Sequence, residues 1–158
     1  MPRGHLWVSQ SDFKQLFKLR VKLVYQQQIY RDLLVSGDTT LDELAGLILK
    51  SFNFDNDHCY GFYSNFESYH DSEEAYEIFI DFAEEAGDPF GGVVEGAKKV
   101  GTAKVNKVFQ PQKKMLFLFD YGDKWEFEIE CLEQTEQEKD KAVLKITDRQ
   151  GKAPKQYS

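Results

Sequence analysis

Cysteine is scarce in this chain, with only Cys59 and Cys131 among 158 residues. Two thiols cannot build a disulfide framework, and reduced cysteines in a cytoplasmic protein are the expected state. Long apolar runs are missing as well. No stretch approaches the roughly 18 apolar residues of a membrane-spanning helix, and Met1–His5 lack the charged-then-apolar layout of a secretory leader. Neither membrane insertion nor secretion is therefore expected. Cations are absent from the middle of the chain, because no Lys or Arg lies between Lys50 and Lys98. Residues 51–97 instead hold twelve carboxylates, a charge of -12 within a chain total of -7, so the remainder is net basic at +5. Such a block repels a phosphate backbone, which disfavours nucleic acid as a partner unless the lysines elsewhere gather on a separate face. A cation or a basic protein surface suits it better, and a solvated helix face is the plain structural alternative.

What is present describes a folded domain. Hydrophobic residues make up 41% of the chain and aromatic residues 15%, enough for a core without covalent staples. One domain over residues 1–150, followed by a mobile tail at 151–158, is expected.

Hydrophobic periodicity places the elements. Phe17, Leu19, Val21 and Leu23 alternate with Lys18, Arg20 and Lys22, the pattern of a half-buried strand over Phe13 to Tyr25. Gln26, Gln27 and Gln28 interrupt it, and Ile29 to Val35 gives a return strand. Thr40 with Glu43 forms a capping box, and Leu41, Leu44, Ala45, Leu47 and Ile48 recur at helical spacing, which predicts a helix from Leu41 to Ser51. A short strand follows at His58 to Tyr63, then a second helix from Ser72 to Ala86, ended by Gly87, Asp88 and Pro89. The glycine-rich stretch from Phe90 to Gly101 is predicted to be a loop with a helical turn near Val94 to Lys99, and its spacing fits neither a dinucleotide fold nor a P-loop. Between Met115 and Leu132 two strand patterns flank Tyr121, Gly122, Asp123 and Lys124, a hairpin signal. Glu126, Glu128 and Glu130 form the outer stripe of its second strand and match the basic stripe Lys18, Arg20 and Lys22, so these strands are candidates for neighbours. Ala142 to Ile146 completes the set. Strands and helices segregated in this way predict an α+β fold with a largely antiparallel or mixed sheet and two main helices. The helix that follows the second strand also resembles the opening of a β-grasp arrangement.

Four of these segments resemble the plasmid pRiA4b open-reading-frame-three-like family, members of which are also described as passenger proteins of an insertion element. Ile29, Tyr30, Arg31, Asp32 and Leu33 are similar to its isoleucine-tryptophan-arginine-arginine strand, with Gly37, Asp38, Thr39, Thr40 and Leu41 opening the helix. Asp57 to Phe62 resembles its serine-histidine-leucine-histidine segment, and Phe119 to Ile129 its tyrosine-aspartate-phenylalanine-glycine-aspartate hairpin. Tyr30, Asp32, Tyr60 and Phe127 depart from the pattern, the last two at positions where histidines often occur, so no histidine-rich ligand cluster is implied. The resemblance covers about Phe17 to Leu132 and implies an uncharacterised domain with a set of candidate positions.

Those positions are Arg31, His58, Tyr60, Asp120, Asp123 and Trp125. Converging, they give a pocket with a cation, an imidazole and two carboxylates. Each also has a structural reading: Asp123 in a turn, Asp120 paired with Arg31, Trp125 in the core. His58, Cys59, His70 and Asp71 match no zinc spacing, and Asp55, Asn56 and Asp57 lack the glycine and distal glutamate of a calcium loop, so no metal or cofactor is expected. Cys59 as a nucleophile needs a histidine that strand alternation turns away. The aromatic residues Tyr60, Phe62, Tyr63, Phe66 and Tyr69 are assigned to core and rim. The leading expectation is a non-catalytic domain that binds a partner protein or small ligand. The rival is a small enzyme with His58 as acid or base, Asp120 or Asp123 orienting it and Arg31 holding an anion. Nucleic-acid binding ranks third, and requires Lys98, Lys99, Lys104, Lys107, Lys113 and Lys114 to share a face.

Overall fold

The computed structural model describes residues 13–87, 91–138 and 142–157. It is an α+β fold built on one seven-stranded sheet with every strand pairing antiparallel. In chain order the elements are β1 (Phe13–Leu23), β2 (Gln26–Ser36), α1 (Leu41–Ser51), β3 (Tyr60–Tyr63), β4 (Ala75–Glu77), α2 (Ile78–Ala86), α3 (Val105–Val108), β5 (Lys114–Phe119), β6 (Trp125–Glu138) and β7 (Leu144–Gln150). Their spatial order is β4-β3-β5-β6-β1-β2-β7.

The charge stripes do put β1 beside β6, with Arg20 opposite Glu130 and Lys22 opposite Glu128. Arg20 turns the other way, however, and grips Asp32 of β2 with two bonds of 2.8 and 3.0 Å. The β1–β2 turn is Val24–Tyr25, so the three glutamines open β2 and do not interrupt the hairpin. They are polar because they are exposed; β7 pairs with β2 only from Tyr30 onward.

α1 has the predicted bounds and its capping box: Thr40 Oγ1 accepts from the Glu43 amide, and Glu43 Oε1 accepts from the Thr40 amide at 3.0 Å. Its apolar face, Leu41, Leu44, Ala45 and Ile48, covers the sheet residues Phe17, Leu19, Leu33, Phe117, Phe127 and Ile129. A second, smaller core lies elsewhere: Tyr63, Ala75, Val94, Leu116 and Leu118. β5 alternates between the two cores, Met115, Phe117 and Phe119 in one, Leu116 and Leu118 in the other, which explains its unbroken apolar run.

Three sequence expectations need correction. The predicted helix from Ser72 starts only at Ile78, because Ala75–Glu77 pairs with β3 and is buried there. The helical turn expected near Val94–Lys99 is instead α3 at Val105–Val108, while Asp81 fixes the preceding loop by accepting from the Val100 and Gly101 amides at 2.9 Å. β6 does not stop at Leu132. A register shift between Lys18 and Leu19 of β1 puts Cys131 and Glu133 opposite consecutive residues, and the bulge lets the charged continuation stay paired.

Candidate functional site: the hairpin end of the sheet

The β1–β2 turn and the β5–β6 turn meet at one end of the sheet, where the Val24 amide donates to the Glu126 carbonyl at 3.0 Å. The loop that follows α1 joins them, with the Asp120 amide donating to the Cys59 carbonyl at 2.9 Å. The β5–β6 turn is shaped by its own residues. Asp120 (φ 65) and Lys124 (φ 55) are left-handed, and Asp120 Oδ1 accepts from the Gly122 and Asp123 amides at 3.1 and 3.2 Å. Aspartate suits this position because it tolerates the left-handed region and caps the turn with its own carboxylate.

The other oxygen of Asp120 faces His58, with Oδ2 3.3 Å from Nε2. The same nitrogen lies 2.9 Å from the Tyr157 hydroxyl and 3.8 Å from Asp57. Tyr157 donates to Asp57, which holds the Asp57 carboxyl below its ordinary range and pushes the phenol up to about 12. Gln156 joins this knot, accepting from the Asp55 amide at 2.6 Å and donating to the Asp55 carbonyl and to Asp57 at 3.1 Å. Gln156 and Tyr157 of the segment expected to be a mobile tail thus hydrogen-bond across this loop; Ser158 is outside the described residues.

Arg31 takes no part in this cluster, and its expected pairing with Asp120 is not among the described contacts. The side chain is 3% exposed. Its Nε donates to the Ser51 carbonyl at 2.8 Å, and Nη1 serves the carbonyls of Tyr30, Gln150 and Gly151 at 2.9, 2.9 and 3.1 Å. The guanidinium also lies over the Phe52 ring, 4.7 Å from its centroid. Burial first, and then Arg149, lowers its affinity for a proton. Arg31 therefore ties the end of α1 to β2 and to the tail. Tyr60 is buried in the main core beside Phe62 and Phe117, and burial pushes its phenol pKa upward. It also forms one wall of a 440 Å³ surface cavity with His58, Cys59 and Phe82.

Asp123 and Trp125 line a different cavity, of 540 Å³, between the two turns. Leu23 and Tyr25 close it on one side and Pro154 of the tail on another. Trp125 is half-buried and packs edge-on against Phe54, ring centroids 4.8 Å apart. Its Nε1–H is buried and has no hydrogen-bond partner among the described residues. Tyr25, 81% exposed, is held at the rim by a hydrogen bond from its hydroxyl to Glu126, which also lines the cavity.

The structure thus brings together His58 with Asp120, and Asp123 with Trp125, and sets Arg31 apart. Sequence reasoning missed Tyr25, Pro154 and Tyr157. An aromatic in the hairpin turn and a proline and tyrosine in a polar tail were the available signals. Among the described residues, no three His, Cys, Asp or Glu side chains form a metal-holding group.

A sequence profile for the plasmid pRiA4b ORF-3-like proteins matches residues 15–156. The chain belongs to this family. Its function is unknown at the family level, and the matched span includes the hairpin end described above without assigning it chemistry. The crystal structure of a protein of unknown function from Methanosarcina mazei Go1, MM3350, shares the family member's fold at a TM-score of 0.66. The two are 16% identical, and the match covers 92% of this chain and 75% of the other. No curated protein matches the chain. Among the described residues, no helix of this family member is long and apolar enough to cross a membrane.

Proposed function

We propose that the protein is a non-catalytic binding domain whose small-ligand site is the cavity between the β1–β2 and β5–β6 turns. Trp125 carries this reading. Its indole lines the cavity, while its N–H is buried and unpaired. An unmet buried donor costs about 1–3 kcal/mol, and in native proteins such a group calls for an explanation, of which an ordered water or a bound ligand is one. Leu23, Tyr25 and Pro154 supply apolar and aromatic surface, and Asp123, Lys124 and Glu126 supply a charged rim. A ring-bearing molecule with a hydrogen-bond acceptor suits this lining, and 540 Å³ falls within the roughly 300–1,000 Å³ of small-molecule sites.

The neighbouring side chains favour binding over chemistry. Burial pushes the Cys59 thiol up and away from thiolate, the opposite of an activated nucleophile. His58 shares a single nitrogen between Asp120 and Tyr157, so that atom is engaged within the fold.

Native mass spectrometry of untagged protein, combined with Trp125→Phe, tests the proposal. Phenylalanine keeps most of the ring and deletes the orphan donor, so thermal stability should be unchanged or slightly raised while a co-purifying small molecule is lost. If wild-type protein carries no such molecule, and its indole fluorescence ignores a library of ring-bearing compounds, the proposal fails.

A further inference from the structure

At the opposite end of α1 lies a 440 Å³ cavity lined by Tyr76, Lys98, Lys99, Thr102, Lys104 and Lys107. Four lysines line it in a chain whose net charge is -7. Four cationic side chains around one cavity give it a positive lining, which attracts anions. Carboxylates lie nearby, but among the described residues only Lys99 of the four is directly paired. Lys99 pairs with Glu84 at 2.7 Å, but Lys98, Lys104 and Lys107 have no salt-bridge partner among the described residues. Glu74, which accepts from the Tyr76 hydroxyl at 2.7 Å, is neutralised by Lys113 at 2.7 Å. Both Asp81 oxygens are occupied by the Val100 and Gly101 amides.

The lysines also stand on fixed backbone. Lys98 bridges to Tyr76 of β4, its amide donating to the Ala75 carbonyl at 3.0 Å and its carbonyl accepting from the Glu77 amide at 2.9 Å. Lys104 bridges to Thr40, the cap of α1, and Lys107 lies on α3, which is anchored by the Val105 amide donating to the Thr39 carbonyl at 2.9 Å. The backbone positions from which these exposed side chains reach the cavity are thus fixed, although the ammonium groups remain free to adjust to an anion.

We infer that this cavity binds a small molecule carrying two or more phosphate groups. Several phosphates match several unpaired lysines, and the cavity has the volume of a small-molecule site. The acidic residues 51–97 adjoin it in the fold through Tyr76 and Glu84, so a polymeric phosphate backbone running beyond the cavity meets repulsion.

Isothermal titration at about 50 mM NaCl, with inorganic tripolyphosphate, orthophosphate and a single-stranded oligonucleotide as probes, tests this. Tripolyphosphate should bind about tenfold or more tighter than orthophosphate, and should lose about tenfold or more in Lys98→Gln/Lys104→Gln/Lys107→Gln. A charge-matched control, Lys145→Gln/Lys152→Gln/Lys155→Gln, changes three exposed lysines elsewhere and should bind like wild type. Lys107→Glu alone serves as a second probe should the triple variant lose its folded circular-dichroism spectrum. Absence of tripolyphosphate binding to folded wild type overturns the inference, as does an equal loss in the control. Oligonucleotide binding tighter than tripolyphosphate, abolished by the cavity substitutions, overturns it in favour of a nucleic-acid surface.

Discussion

Arg31 shows how far a single residue's chemistry depends on what the fold places around it. Alternation in β2 puts Arg31 on the face shared by the buried Leu33 and Val35, so its burial was legible in the period-two pattern. Its partners were not, since they are backbone carbonyls of Ser51, Gln150 and Gly151 that only the packing of α1 and the tail delivers. Asp32, one residue on, points to the opposite face, where Arg20 takes it. Arg31→Ala should cost about 3 kcal/mol in urea unfolding, because it leaves buried carbonyls unmet and a void beside Phe52. Arg31→Lys should recover little of this, since an ammonium lacks the planar fork that reaches several carbonyls at once. A loss under about 1 kcal/mol for the alanine variant would contradict the assigned role and return the side chain to solvent or ligand.

Elements whose signals lie within their own residues were readable, whereas β4 and the C-terminal segment, placed by distant partners, were not. α1 has a capping box and a helical repeat within its own residues, so its bounds were readable. β4 had no such signal: Ala75–Glu77 continues the repeat of α2, and only pairing to β3 draws it into the sheet. Gln156 and Tyr157 are the extreme case, side chains of a polar segment whose partners lie about a hundred positions away. Their docking should depend on pH. The Asp57 carboxyl is held below its ordinary value of 3.8 by the Tyr157 hydrogen bond, so the docked form binds a proton less readily than the released form. Docking is therefore favoured at pH above 3.8 and weakens as pH falls through the lower docked value. The Tyr157 ring resonance, followed by NMR from neutral pH downward, should move toward that of an unstructured tyrosine in this acid range while β-sheet amides remain dispersed. In Asp57→Asn, which cannot ionise, that acid-driven step should vanish. A Tyr157 signal that stays constant until the whole sheet unfolds would show that this contact does not govern docking.

At the scale of the molecule, the acidic block of residues 51–97 is partly answered by the fold. Lys113 and Lys99 come from outside it to meet Glu74 and Glu84, each at 2.7 Å. Glu77, fully buried, accepts from the Val93 and Val94 amides and from the Tyr63 hydroxyl, and Asp81 also serves backbone amides. The sequence reading of a solvated acidic face holds only for the remainder, since composition counts carboxylates without saying which ones the loops consume. Glu67, Asp71, Glu73, Glu85 and Glu95 are exposed and share one sign. Their mutual repulsion acts over distances that salt controls, because the screening length falls from about 30 Å at 0.01 M to about 8 Å at 0.15 M. The half-buried Arg20–Asp32 contact is screened far less. Raising NaCl across that range should therefore relieve more repulsion than it removes attraction, stabilising the fold by about 1 kcal/mol, or roughly 2–4 °C in Tm. Scanning calorimetry in a dilute buffer without phosphate isolates this effect from occupancy of the lysine cavity. A Tm that falls with added NaCl would mean that the pairs formed by Lys99 and Lys113 outweigh the exposed carboxylates, and the block is then a neutralised structural unit with little field of its own.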